Sequence, residues 1–307
     1  MVGCTSWART TDAINISRLD INAASVSLIL VPLKVCRMFL SRLLLLPFLV
    51  ALAVPVAAHE FWIEPDQYQV PIGGTLQADF KNGQNFRGTT LAFFDRRSET
   101  YALITNGNRS ELMPRAGDRP ALSVPAPDRD ALAVVIHETA PSTLTYKEWA
   151  KFLKFAAHKD FQTAASDHAA AGWPMEGFKE RYTRHAKSLM AVGSGAGADA
   201  STGMQTEFVA LSNPYAADFD GQMRVRVLYQ GAVRPDAQVE VFDRARAGDV
   251  TVTLHRTDAQ GEVAIPVVSG HSYIFDAVVL RPAADMADPG KDPVWETLWA
   301  ALTFAVP

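Results

Sequence analysis

Residues 223–254 read MRVRVLYQGAVRPDAQVEVFDRARAGDVTVTL, and three stretches inside that segment (223–229, 237–242 and 250–254) place apolar side chains at every second position. A period of two is the pattern of a strand with one face buried. The same texture returns at 263–267, 273–280 and 299–306. Between two of these strands, Thr257-Asp258-Ala259-Gln260-Gly261 has hairpin chemistry, with Gly261 free to take a positive φ. Six or seven short strands in about a hundred residues predict an immunoglobulin-like or transthyretin-like β-sandwich over 204–307.

Working back toward the amino terminus, short apolar runs at 61–63, 76–80, 91–94, 101–104 and 131–136 are separated by Gly73-Gly74, Asn106-Gly107-Asn108 and Pro125-Ala126-Pro127. That punctuation predicts a second β domain over 59–192. Inside it the texture changes. Tyr146, Trp149, Phe152, Leu153 and Ala156 recur at helical spacing, with Ser142 or Thr145 available as a cap. The charged stretch 178–185 (FKERYTRH) reads as a second helix, giving a helical insertion at about 146–186, and 187–192 returns to strand. Trp149, Phe152, Phe155 and Phe161 read as helix core rather than a ligand platform. The run 193–203 (GSGAGADASTG) is too glycine-rich for a packed element and reads as a linker or mobile loop. The expected fold class is therefore mainly β, with two sandwich domains.

Upstream, 43–54 (LLLLPFLVALAV) is uninterrupted apolar sequence after Arg42 and before Pro55-Val56-Ala57-Ala58. A basic end, a short apolar core and small residues before a cut describe a secretory signal peptide. A membrane span needs roughly 20 apolar residues, more than this stretch supplies. We place the leader at 38–58, with Met38 as initiator, cleavage after Ala58, and 1–37 as a misassigned upstream extension. Both cysteines, Cys4 and Cys36, precede the cut, so the mature chain has no thiol chemistry. Its expected location is the periplasm, with no span left after cleavage.

The full chain carries a formal net charge of −4. Removing Arg9, Arg18, Lys34, Arg37, Arg42, Asp12 and Asp20 with the leader makes the mature protein about −7, which argues against nucleic acid as a partner. No G-x-S-x-G elbow, phosphate-binding glycine loop or H-E-x-x-H motif occurs. The pattern favours binding over catalysis.

Histidine is the chemistry that remains. Cleavage after Ala58 would give His59 two nitrogen donors, its α-amino group and its ring Nδ1. Their reference pKa values lie near 7.7–8.0 and 6.5, so little is lost in deprotonating both for a metal. One more histidine would complete a three-nitrogen site for Ni(II), Co(II) or Cu(II). His185 is the first candidate partner, with His137, His158 and His168 behind it. No two of these have i, i+4 spacing, so only tertiary folding can assemble a site. Asp160 and Asp167 could orient His158 and His168. His255 reads as an exposed strand residue and His271 as part of a turn.

With those features in view, the chain resembles the domain-of-unknown-function family 4198, described as the periplasmic component of cobalt or nickel uptake systems. The matching segments are His59-Glu60-Phe61-Trp62-Ile63-Glu64-Pro65, Lys187-Ser188-Leu189, Asn213-Pro214-Tyr215, the Thr257 to Gly261 turn, and 295–304 (WETLWAALTF). The resemblance implies a β-rich periplasmic protein that binds a divalent transition metal, nickel or cobalt first and copper second. It also implies delivery to an inner-membrane importer, with His59 as the carried-over ligand. Two other readings are a metal-free structural or interaction module and a copper oxidase built on an N-terminal histidine brace.

Overall fold

The computed structural model describes residues 59–307; the leader, its cleavage site, the upstream extension and both cysteines lie outside them. In chain order the strands of the first half are β1 (Glu60–Pro65), β2 (Gln69–Val70), β3 (Thr75–Gln84), β4 (Arg87–Leu91), β5 (Ser98–Thr105), β6 (Asn108–Glu111), β7 (Leu122–Pro125), β8 (Ala131–Thr139) and β9 (Ser142–Tyr146). Helices α1 (Trp149–His158) and α2 (Ala164–Ala170) follow, and then β10 (Phe178–Val192), β11 (Thr206–Ala210), β12 (Gln222–Tyr229) and β13 (Ala232–Val233). The last strands are β14 (Gln238–Arg244), β15 (Val250–Arg256), β16 (Glu262–Pro266), β17 (Ser272–Pro282) and β18 (Pro293–Ala305).

The alternation in 223–254 explains the layering. Met223, Val225 and Val227 of β12 are fully buried and pack with Val239 and Val241 of β14 and with Tyr273 and Phe275 of β17. Each such side chain contributes about 1.5–3 kcal/mol by leaving water. One ten-stranded sheet, ordered β15-β14-β17-β18-β10-β8-β5-β6 with β2 and β9 also on β10, runs through the molecule. The sheet of β11, β12, β13 and β16 covers one face, where Leu132, Val134, Leu189 and Ala191 point. Their neighbours Ala133, Val135, Met190 and Val192 point to the other face and pack on Phe61, Ile63, Leu76 and Phe80 of the β1-β3-β4-β7 sheet. The helices lie on that same face, Phe152 and Phe155 packing against Trp295 and Trp299 of β18. The mainly β, sandwich-packed expectation holds, and the two sandwich packings share the central sheet.

Four local readings change. Residues 178–185 are strand, the first half of β10, paired in parallel with β18 and antiparallel with β9. Their charges mimic a solvated helix face, but Glu180 is 1% exposed and finds buried donors across the sheet. The helical insertion is therefore 149–170. Ser142 and Thr145 belong to β9, and α1 starts after Glu148 without a side-chain cap. The Thr257 to Gly261 turn forms, with Gly261 at φ 71° and the Asp258 carboxylate accepting from the Gln260 and Glu262 amides. It is a crossover rather than a hairpin, since β15 pairs with β14 and β16 with β12.

The run 193–203 is a packed loop. Lys187, fully buried on β10, sends its Nζ to Asp199 Oδ2 at 3.1 Å and Glu207 Oε2 at 3.1 Å, and the Thr202 amide donates to Glu207 Oε1 at 3.0 Å. The glycines serve close approach: a Cβ on Gly195 would meet the side chains of Ala191 and Tyr215 at 2.8 Å.

The feature that positions the site is an opening in the central sheet. β10 pairs with β9 over residues 178–182 and with β8 over 189–192, leaving 183–188 without a strand partner on that side. The Arg184 amide is satisfied there by Thr139 Oγ1 at 3.0 Å.

Candidate functional site

A cavity of about 590 Å³ opens over this break, between the β1-β3-β4-β7 sheet, β8, β9 and the helical side of β18. Its lining joins His59, His137, Arg184, Glu180, Phe155 and Trp299. His59, exposed at the cavity, directly precedes β1, whose next four residues are all buried. The apolar run Phe61-Trp62-Ile63 thus ties the chain down immediately after His59, through pairing with β3.

His137 sits in β8, 2% exposed, with its ring 4.2 Å from Phe80, 5.5 Å from Phe61 and 5.4 Å from Tyr101, centroid to centroid. Its Nε2 is 2.8 Å from Ser98 Oγ, while that hydroxyl donates to the Phe94 carbonyl in a long bond of 3.4 Å. Which of Ser98 Oγ and His137 Nε2 donates in the shorter contact is set by the ring tautomer. Nδ1 is buried with no hydrogen-bond partner. Burial pulls the pKa of His137 down to about 3, so the ring is neutral and able to ligate a metal at physiological pH without losing a proton.

Across the cavity, the Arg184 guanidinium lies 3.9 Å from the Trp299 ring centroid and 5.2 Å from that of Tyr182. No side-chain hydrogen bond or ion pair of Arg184 is present among the described residues, and Nη1 is shielded from solvent without a partner. Burial lowers its pKa, with Asp276 and Glu180 acting at a distance in opposition. Glu180 is committed elsewhere. Thr297 Oγ1 donates to Oε1 at 2.5 Å, Tyr146 Oη donates to Oε2 at 2.8 Å, and Trp299 Nε1 donates to Thr297 Oγ1 at 3.0 Å. Burial nevertheless raises the Glu180 pKa.

The first residue of β1, Glu60, meets a second buried group. Lys159, just past the end of α1, donates to Glu240 Oε2 at 2.5 Å and Asp276 Oδ2 at 2.8 Å, and its Nζ lies 4.9 Å from the Trp299 centroid. Glu60 adds a carboxylate whose Oε2 is buried without a hydrogen bond. Burial, then Asp276, push its pKa up to about 8. Burial also raises Asp276, with Lys159 only partly offsetting it, whereas at Glu240 the bonds from His158 and Lys159 outweigh burial and lower the pKa.

The structure sorts the five candidate histidines. His59 and His137 line one cavity. His185 does not join them: β10 alternates, so residue 185 faces the other side of the sheet with Leu189 and Ala191, and its Nε2 lies 3.3 Å from Glu138 Oε1. His168 is fully buried and spent. Its Nδ1 accepts from Trp295 Nε1 and its Nε2 pairs with the Pro174 carbonyl, both at 3.0 Å. His158 is half exposed and pairs with Glu240 at 3.2 Å, so neither Asp160 nor Asp167 is its anchor. Asp160 pairs with Arg256 instead. His255 is half buried on β15, beside Thr253 at 3.0 Å, and His271 pairs with Asp243 at 2.7 Å. Among the described residues no group of three or more His, Cys, Asp or Glu side chains is placed to hold a metal.

Sequence reasoning missed Glu60, Lys159, Glu180, Arg184 and Trp299. Local pattern carries no signal for the burial of a lysine at a helix end or of charges within FKERYTRH. A second, more open cavity of about 650 Å³ is lined by Glu64, Asp79, Lys81 and Arg244, whose charges pair off as Arg244 with Glu64 at 2.6 Å and Lys81 with Asp79 at 3.3 Å. No described helix is long and apolar enough to cross a membrane.

A family model described as Domain of unknown function (DUF4198) matches residues 56–281. Among solved structures, the D0-D1 domain of intimin is similar at 11% identity over 80% of this chain and 97% of that one, with a TM-score of 0.18. The tetra-tandem repeat in the extending region of a large adhesion protein is similar at 12% identity over 80% of this chain and 49% of that one, with a TM-score of 0.20. Scores that low carry no argument about this molecule. No curated protein matches.

Proposed function

The chain belongs to the DUF4198 family, and on that premise we propose that it is a periplasmic transition-metal-binding protein, which takes nickel or cobalt first and copper second and passes the ion to an inner-membrane importer. The ligands are the α-amino group and Nδ1 of His59, freed by cleavage after Ala58, and Nδ1 of His137. The observation that carries the reading is the buried, unpartnered Nδ1 of His137, a residue that lines the same cavity as His59. A buried ring nitrogen without a hydrogen-bond partner costs about 1–3 kcal/mol, a cost that a metal–nitrogen bond to its unprotonated form would remove. Two histidine side chains suffice because the third nitrogen is the new amino terminus. Three neutral nitrogens suit Ni(II), Co(II) and Cu(II) better than oxygen-seeking Mg(II) or Ca(II). The role is binding and release, without catalysis.

The test is calorimetric titration of exported, processed protein with Ni(II), Co(II) and Cu(II), alongside His137→Phe and His185→Phe. Phe at 137 keeps the aromatic packing and removes the ligand. The expected result is a loss of affinity of more than about tenfold for His137→Phe, since loss of even a hydrogen-bonding support to a metal ligand costs 10–100-fold, with His185→Phe unchanged. Equal affinity in wild type and His137→Phe rules the reading out.

A further inference from the structure

The cavity is much larger than an ion requires. Metal–nitrogen bonds are about 2 Å long, whereas about 590 Å³ lies within the roughly 300–1,000 Å³ of small-molecule sites. Its walls include Phe61, Phe80, Phe155 and Trp299, surfaces that shed water onto an organic body rather than a hydrated ion. The charges point the same way. Arg184 and Arg97 both line the cavity, and its one acidic residue, Glu180, already accepts from Thr297 and Tyr146. A divalent cation bound without an anion would sit in a cavity that also holds an unpaired guanidinium, at an electrostatic cost that a bound anion offsets.

An anion held between the two resolves both problems. The planar face of Arg184 is occupied by Trp299, so its N–H edge remains for a partner, and a carboxylate matches that edge in a bidentate pair. We infer that the cavity takes the metal as a complex with a small organic carboxylate, whose carboxylate group pairs with Arg184 while its remaining donors complete the coordination begun by His59 and His137. This inference rests on the metal-binding reading and names the form in which the metal arrives. No covalent step is involved.

Equilibrium dialysis of the processed protein tests it, with radiolabelled citrate in one arm and radiolabelled L-histidine in the other, each with and without Ni(II). The expected result is retention of one carboxylate per bound Ni(II) in at least one arm, and at least tenfold less carboxylate retained by Arg184→Gln while that variant still retains Ni(II). Retained metal also reports that the variant is folded. Arg184→Lys, which keeps the charge and loses the fork, is expected to fall between. Ni(II) bound with no carboxylate in either arm overturns the inference and leaves the metal-binding reading standing. Carboxylate retained through Arg184 with no Ni(II) retained in the arms that contain it overturns the metal-binding reading and the complex, leaving a carboxylate site. Carboxylate retention identical in wild type and Arg184→Gln overturns the role of Arg184.

Discussion

Replacing Lys159 by Met would remove the single cation that holds Glu240 and Asp276 together beneath the cavity. Its side chain is 3% exposed, and the two carboxylates are 4% and 2% exposed, so water cannot take over its role. Breaking a buried ion pair by deleting one partner costs about 3–5 kcal/mol, because the charges left behind stay desolvated. Glu60 adds to that cost, since its carboxyl interacts with the same group. With an unfolding entropy of about 2.1 cal/mol/K per residue, the described domain shifts by roughly 2 °C per kcal/mol. The variant should therefore melt about 6–10 °C below wild type at pH 7, measured by circular dichroism.

Two controls give that number its meaning. The deficit should shrink as the pH falls and the orphaned carboxylates take up protons. The triple variant Lys159→Met, Glu240→Gln, Asp276→Asn should recover most of the loss, as neutral replacements of buried ion networks do. A deficit below about 1 kcal/mol, or a triple variant no better than the single one, would show that the cluster is solvated and that this description of it is incorrect.

Three further outcomes follow from the same geometry. Burial, with Asp276 beside it, pushes the Glu60 pKa in the folded chain up to about 8 from an ordinary 4.5, so the unfolded chain releases its proton first and stability falls as pH rises between those values; Glu60→Gln should flatten that decline, gaining over wild type at pH 8 and little at pH 4, and parallel pH profiles would refute it. Lys187→Met should strip amide protection from 193–203 in hydrogen exchange and destabilise by about 3–5 kcal/mol, whereas unchanged exchange there would return the segment to a free linker. His168→Phe should cost about 1–3 kcal/mol by orphaning Trp295 Nε1 and the Pro174 carbonyl without moving metal affinity; a change in affinity measured by titration would place a ligand where we place none.

Much of the strand pattern was legible because period-two burial is a local property, and β12, β14 and β17 carry it in plain view. Where strands sit in a sheet was not. β15 and β16 flank a turn with every hairpin feature and still enter different sheets, since the partner of each is decided by packing far along the chain. Residues 178–185 failed for a related reason. Glu180 and Arg184 look solvent-bound, but Tyr146, Thr297 and Trp299 supply donors and an aromatic face that composition cannot reveal. The site was half legible: histidine type picked out His59 and His137, while strand alternation, which depends on knowing that 178–185 is strand, is what sets His185 on the opposite face. The glycine run misled because glycine permits close approach as readily as motion, and Gly195 against Tyr215 uses the former.

The central claim is that the mature amino terminus is itself a metal ligand. The direct measurement is Ni(II) affinity of naturally exported, processed protein beside a version with one glycine inserted before His59, which moves the α-amino group off the chelating residue and leaves both imidazoles in place. The account predicts a loss of more than about tenfold in the glycine-extended protein, comparable to that of His137→Phe. Equal affinity in the two forms would contradict it.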